Sequence, residues 1–275
     1  MGISIAKLVK EAKKVDTIVT RPITDWLLTH GDDAFSPEVV TYIADQLQTQ
    51  PRVRTGSFSG AAAGMCLRRQ ELAFAGVPGE PIDPQLRNIF NDGKWRHLRW
   101  QAMLLETGII TDPEYLVQWP KFLSRGSLDA RGEVPMDHHK PTWRGKEFGF
   151  ELKGVSTFQY GELKKNGPMD KHMRQIHHYF VLGNFDLFSI VYEDKTTQDW
   201  IEWVVEPDRK LLIEAENDMR ELAKAVKSRK LHGMQPACIK RKGIEFNDCP
   251  FGGARGECVK ALTKLPKGFS WPKAA

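Results

Sequence analysis

No apolar run in this chain approaches the roughly twenty residues that a membrane span needs, and the opening stretch MGISIAKLVKEAKK breaks into lysines before a signal-type apolar core forms. Position 6 is Ala6, not the serine or threonine of a myristoylation site. These absences lead to the expectation of a soluble, cytoplasmic protein with no membrane partner. Internal repeats and low-complexity segments are also lacking, which removes solenoid and fibrous classes. Cysteine is scarce, with four in 275 residues. Two disulfides are allowed by count, but nothing marks the chain as secreted, so metal binding is the better reading and four separate buried thiols the plainer one.

What is present is ordinary globular material, 41% hydrophobic and 27% charged, long enough for one large domain or one domain with appendages. The net charge of +5 is mild, so its placement matters more than its size. Basic residues gather at Arg52 and Arg54, Arg68 and Arg69, Lys94 with Arg96 and Arg99, Lys164 and Lys165, Lys171 with Arg174, and Lys240 with Lys242. Each cluster alone reads as solvated surface; together they tilt toward a polyanionic partner.

The first fifty residues read as helical, in IAKLVKEAKKV and then SPEVVTYIADQLQ, where Ser36 and Pro37 make a cap and a first turn. Helical spacing returns in MCLRRQELAFAG and, after the punctuated GVPGEPIDP, in LRNIFNDGKWRHLRWQAMLLETG. From 112 onward the period shifts toward two, in PEYLVQWP, KFLSRGSLDARGEV and KEFGFELKGVSTF. A helix at 168–183, strands in NFDLFSIVYEDK and DWIEWVVEP, and an amphipathic helix at 207–229 follow, before a tail rich in Gly, Pro and Cys.

Within GFELKGVST, Glu151 and Lys153 are two apart, so on a strand they project from one face while Phe150 and Leu152 project from the other. A salt bridge on a buried face is one account, and a weak one, because desolvation offsets most of its gain. A second account adds Asp129, from GSLDARGEV on the preceding strand, which antiparallel pairing can bring beside Glu151. Two close carboxylates repel unless a cation sits between them, and few oxygen ligands with room for water and phosphate suit Mg²⁺ or Mn²⁺. Such an ion polarises a phosphoryl oxygen and acidifies a water, with Lys153 offsetting the developing charge: the chemistry of a phosphodiesterase.

These residues resemble the PD-(D/E)XK nucleases, and within them the RecB-type group that includes the iron-sulfur exonucleases of CRISPR adaptation and recombinational repair. The acid of the pattern matches Asp129 and its ExK matches Glu151-Leu152-Lys153. A GxxxH setting upstream of the sheet matches Gly93-Lys94-Trp95-Arg96-His97, and QxxxY on the following helix matches Gln175 and Tyr179, which share a helix face. The order agrees from residue 57 to residue 260. The resemblance implies Asp129, Glu151, Lys153, Gln175 and Tyr179 as catalytic residues. It implies His97, Asp129, Glu151 and the backbone carbonyl of Leu152 as ligands of Mg²⁺ or Mn²⁺.

The implied fold is α/β, a restriction-endonuclease-like mixed central sheet flanked by helices, with a helical N-terminal extension at 1–50, a nuclease core at 51–230 and a cysteine-rich tail at 231–275 stapled by a metal cluster. One early cysteine and three late ones, Cys66 with Cys238, Cys249 and Cys258, resemble the ligand layout of a 4Fe-4S cluster in that group. The late cysteines depart from its usual close spacing, which keeps a structural Zn²⁺ open as an alternative. Closing so long a loop removes chain entropy from a tail with few apolar residues.

DNA is the implied partner, single-stranded or with free ends, contacted by Arg68, Arg69, Lys94, Arg96 and Tyr160. Trp95, Trp100, Phe158 and Tyr160, interleaved with basic residues, are candidates for stacking bases, with core packing the commoner role of each. His138, His139, His177 and His178 read as surface or turn residues. The implied activity is exonucleolytic, in recombination, repair or spacer capture, with a phage-encoded setting and a protein partner from those processes both compatible. The alternatives are a DNA-binding or assembly subunit that keeps the fold without turnover, and an endonuclease, structure-specific or sequence-specific; the latter calls for an added recognition domain.

Overall fold

The computed structural model describes residues 16–48, 56–240, 249–252, 258 and 263–272. The helical reading of residues 5–15 and the basic residues Arg52, Arg54 and Lys242 fall outside these. Helices α1 (Thr20–His30) and α2 (Pro37–Gln48) come first, followed by the short strand β1 (Phe58–Ser59), a 3-10 turn at Gly60–Ala62 and helix α3 (Leu67–Phe74). Helix α4 (Pro84–Glu106) starts where its sequence dictates: Asp83 accepts the Leu86 amide, and Pro84 occupies a first-turn position whose missing N–H goes unnoticed.

Five strands then follow: β2 (Ile110–Pro113), β3 (Leu116–Trp119), β4 (Ser124–Ser127), β5 (Ala130–Glu133) and β6 (Glu147–Val155). Helices α5 (Thr157–Asn166) and α6 (Asp170–Gly183) carry the chain back to β7 (Leu187–Asp194) and β8 (Trp200–Val205), and helices α7 (Arg209–Ser228) and α8 (Pro236–Lys240) complete the described elements. The sequence reading ran a strand on through Thr157 and Phe158. In the structure Ser156 instead caps α5 in a reciprocal capping box with Gln159, a Ser-x-x-Gln signal that ends the strand at Val155.

The molecule is mixed α/β. One sheet has the order β2-β5-β6-β7-β8, parallel only at β6–β7, and a smaller one has the order β1-β4-β3. The parallel pair needs a crossover, which α5 and α6 provide. Alternation along β6 divides the large sheet's two faces. Phe148, Phe150 and Leu152 pack with Trp100, Met103 and Leu104 of α4 and with Ile18 and Ile23. On the opposite side Ile176, Tyr179 and Phe180 of α6 pack with Val155, Phe188, Ile190 and Tyr192. Strand β6 is therefore buried on both sides, and any charge it carries on the α6 side sits under a helix.

The N-terminal segment is tied to the far edge of the sheet by one carboxylate. Glu202 of β8 is buried and accepts the amides of Ile18 at 2.8 Å and Thr20 at 2.9 Å, the Val19 amide at 3.1 Å, and the hydroxyls of Thr20 and Ser189. An anion at the start of α1 also meets the positive end of the helix dipole. Replacing Glu202 with alanine strands these donors in a dry site. Glu202→Ala is expected to lower the unfolding free energy by about 3 kcal/mol or more, read by urea titration, with hydrogen exchange at Ile18, Val19 and Thr20 rising first.

Candidate active site

Strand β5 pairs with β6 as far as Ala130 opposite Phe150, and the ladder stops there. One residue further, Asp129 turns its side chain into the gap and its Oδ2 accepts the Leu152 amide at 2.7 Å, taking the place of the missing ladder partner. Its Oδ1 meets His97 Nδ1, from α4, at 2.8 Å. The Asp129 backbone is held as well: its carbonyl accepts the Gln101 side chain at 2.8 Å and the Glu114 amide at 3.0 Å.

Glu151 and Lys153 share the α6 face of β6. Lys153 Nζ donates to Glu151 Oε1 at 2.6 Å and to Gln175 Oε1 at 3.0 Å, while Gln175 Nε2 donates to the same Glu151 oxygen at 2.8 Å. Gln175 Nε2 also donates to the Tyr179 hydroxyl at 3.0 Å, and that hydroxyl donates to the Ser127 carbonyl at 3.2 Å. The structure thus brings the six residues together as two adjoining groups, Asp129 with His97 and Glu151 with Lys153, Gln175 and Tyr179, which meet at the β6 backbone where Asp129 holds the Leu152 amide. Glu151 Oε2 is the exception: it is sealed from solvent and has no hydrogen-bond partner among the described residues.

The electrostatics follow from burial and crowding. Burial pushes the Glu151 carboxyl up, and the charge of Asp129 adds to this against the pull of Lys153, to about 7. Burial acts the same way on Asp129, but His97, Lys153 and the Leu152 amide outweigh it and hold that carboxyl below its ordinary value. Burial lowers His97, yet Asp129 prevails and raises it to about 9. The imidazolium of His97 and the ammonium of Lys153 together supply the positive charge that two neighbouring carboxylates need.

Tyr179 is positioned by two glycines that sequence reading passed over. A Cβ at Gly60 or at Gly126 would stand 2.2 Å from Tyr179 Cε1, so the 3-10 turn and β4 both leave room for its ring. A glycine inside a strand, as in Ser124-Arg125-Gly126-Ser127, is a signal of close approach and marked this position.

Other expectations need correction. Arg68 is wholly buried, and its guanidinium donates to the Cys258 sulfur at 3.2 Å and to the His232 carbonyl at 2.7 Å, so it does not reach a phosphate backbone. Arg96 is turned inward onto the fully buried Glu193, which also accepts from Arg99 and the Trp100 indole. Tyr160 is a core side chain with no face open for a base, and Trp100 is likewise core, the commoner of its two expected roles. His177 and His178 are buried, not surface residues: His177 accepts the Asp208 amide at its Nε2, and His178 lies in the α6–α7 packing. Lys94, Trp95 and Phe158 are exposed and Arg69 is half-buried.

The four cysteines carry free thiols. Cys66 stands at the start of α3, Cys238 in α8, and Cys249 and Cys258 pack with Leu72, Val77 and Phe251. Burial pushes the Cys238 thiol up, and Cys258, Cys66 and Cys249 add to it, which puts those three within electrostatic reach of Cys238. Among the described residues, no three His, Cys, Asp or Glu side chains are arranged to hold a metal ion as they stand.

No protein-family model and no curated protein matches the chain. Among solved structures it is similar to an alkaline exonuclease, LHK-Exo, from Laribacter hongkongensis, at 15% identity and a TM-score of 0.46, over 69% of this chain and 93% of that one. The same exonuclease in complex with dAMP gives 14%, 0.45 and the same shares of 69% and 93%. The protein SSO0001 gives 14% and 0.40 over 70% of this chain and 88% of that one. Likeness at this level adds nothing to the geometry, on which the functional reading rests.

The glycine pair generates a test. Gly126→Ala forces the Tyr179 ring out of its slot and is expected to destabilise the protein by about 1–3 kcal/mol, as overpacking does. Adding Tyr179→Leu, which removes the ring, should restore part of that loss in a double-mutant cycle of thermal melts.

Proposed function

We propose that this chain is a metal-dependent deoxyribonuclease of the PD-(D/E)XK type on a restriction-endonuclease-like core, acting as an exonuclease on single-stranded DNA or DNA ends. The observation that carries it is the Asp129, Glu151 and Lys153 constellation, with Glu151 Oε2 buried and unpartnered. A sealed carboxylate oxygen without a donor is costly, and Mg²⁺ or Mn²⁺ is the kind of partner that satisfies it. Asp129, Glu151 and the Leu152 carbonyl would hold the ion, with His97 at the Asp129 side. When bound, such an ion polarises a phosphoryl oxygen and acidifies a water.

The chain's own residues do the rest. Gln175 fixes Lys153 by accepting from its ammonium while donating to Glu151, so the cation stays beside the carboxylates without swinging free. A pinned ammonium in a partly buried site stabilises negative charge as it develops on phosphate, and its orientation costs nothing at the moment of reaction. Tyr179 and the Ser127 carbonyl hold Gln175 in turn. One observation favours a second reading, a DNA-binding or assembly subunit without turnover: both oxygens of Asp129 are already engaged, by His97 and by Leu152.

A 4Fe-4S cluster on Cys66, Cys238, Cys249 and Cys258, or a structural Zn²⁺ on the same thiols, is part of the proposal. The donor set supports it: three thiols within electrostatic reach of a fourth, Cys238, with the buried Arg68 guanidinium on the Cys258 sulfur opposing the burial that pushes that thiol up. Its role would be structural, joining α3 to the C-terminal region. The setting we propose is recombination, repair or spacer capture in the cytoplasm.

Purified protein with Mg²⁺ or Mn²⁺ is expected to degrade end-labelled DNA and to spare covalently closed circles, and Lys153→Ala to slow degradation by about a hundredfold to a thousandfold. Binding without cleavage by the wild-type protein would transfer the reading to the non-catalytic subunit. Iron analysis and visible absorbance of anaerobically purified protein should reveal the cluster, with loss of metal and a lower melting temperature in Cys249→Ser; protein containing neither iron nor zinc removes that part of the proposal.

A further inference from the structure

One pair on the α6 face remains outside the network described so far. Tyr192 of β7 is the register partner of Lys153 across the parallel β6–β7 ladder, so the two side chains leave the same face side by side. Above it, one turn before Gln175 on α6, His172 places Nδ1 at 2.9 Å from the Tyr192 hydroxyl. His172, Gln175 and Tyr179 are spaced at i, i+3 and i+7, a single stripe along the helix. The charge of Lys153 reaches His172, and that of Glu151 reaches Tyr192. His172 is half-buried, and among the described residues its Nε2 has no partner within the protein.

The hydrogen bonds determine where the imidazole proton lies. The Tyr192 hydroxyl accepts the Met169 amide at 3.2 Å, and Tyr192 is wholly buried. Among the described residues its remaining polar neighbour is His172 Nδ1, so the hydroxyl proton points there. Burial, together with the positive charges of Lys153 and Lys171, pulls the His172 pKa down to about 3 and keeps the ring neutral. A neutral imidazole that accepts at Nδ1 carries its proton on Nε2. Tyr192 thus turns His172 into a fixed N–H donor beside Lys153.

We propose that His172 is a substrate-binding residue of this site, donating its Nε2–H to a non-bridging phosphate oxygen of the bound strand, with Tyr192 as the positioning residue that sets its tautomer. The proposal rests on the nuclease reading for the identity of the strand. A neutral donor suits this place: it grips phosphate without adding a second cation beside Lys153, whose ammonium stays committed to Glu151 and Gln175.

Two measurements test it. Long-range ¹H–¹⁵N spectra of the full chain in EDTA read the tautomer directly, and a short oligothymidylate is the probe. The expected result is an Nε2–H tautomer whose Nε2 resonance moves on titration and stays put in Lys153→Ala protein only if the strand no longer binds. In steady-state cleavage, His172→Ala is expected to raise KM about tenfold, the scale of one hydrogen bond to a charged group, with kcat little changed. His172→Gln, whose amide N–H reaches toward the Nε2 position, should recover most of the loss, and His172→Asn, whose donor stands at the Nδ1 position, should not. A purely structural role would lower melting temperature without separating Gln from Asn. An Nδ1–H tautomer, a resonance indifferent to the oligonucleotide, or an unchanged KM in His172→Ala would overturn the proposal while leaving catalysis standing. A wild-type protein that cleaves nothing yet shows the Nε2 shift would overturn the catalytic reading and leave this one in place.

Discussion

Two carboxylates held close together at a buried strand have to be offset by positive charge, and most of the structure around β6 answers that requirement. The β5–β6 ladder ends where Asp129 and Glu151 come opposite each other, so the sheet itself creates the crowding. The offsetting groups then arrive from opposite sides, His97 from α4 and Lys153 from the strand, with Gln175 of α6 keeping the lysine in place. Each helix packs through an apolar stripe on its own face of the sheet, which fixes both charges relative to the strand. The chemistry proposed for the site is an outcome of where a strand pair parts and which helices cover the opening.

Much of this was legible because short-range pattern carries it. Period-two alternation in β6 puts Glu151 and Lys153 on one face, helical spacing in LRNIFNDGKWRHLRWQAMLLETG puts His97 on a helix and the spacing within α6 does so for Gln175 and Tyr179, and these predictions needed no tertiary information. What escaped was charge in the interior. Arg68, Glu71, Glu193 and Glu202 are buried, each joining segments far apart in sequence, and in a linear reading such residues look like solvated surface. Arg96 was misplaced for that reason: its partner Glu193 lies ninety-seven positions away. Tyr160 failed in the opposite sense, as an aromatic residue near motif positions whose ring the core had already claimed, while Trp100 took the core role that was the commoner expectation.

The same interior charges organise the C-terminal region. Glu71 accepts the His232 amide at 2.9 Å and Arg68 holds the His232 and Cys258 carbonyls, so one short helix, α3, fastens the chain after α7 by two adjacent ionic side chains. Arg68 and Glu71 are one turn apart on α3 and both face inward. Cys66, Cys249 and Cys258 lie at this junction, where buried charges already hold distant segments together, so the metal proposed there would reinforce a geometry that hydrogen bonds have begun.

The glycine slot around Tyr179 has a consequence for how the chain can drift in sequence. One wall, Gly60, belongs to a turn before α3; the other, Gly126, belongs to the small sheet; and the ring belongs to α6. No single position of the three can change size alone. A lineage that enlarged either wall would have to shrink the ring, and shrinking the ring removes the hydroxyl that steadies Gln175, so the three positions should be inherited as a unit, correlated across more than a hundred residues of intervening sequence.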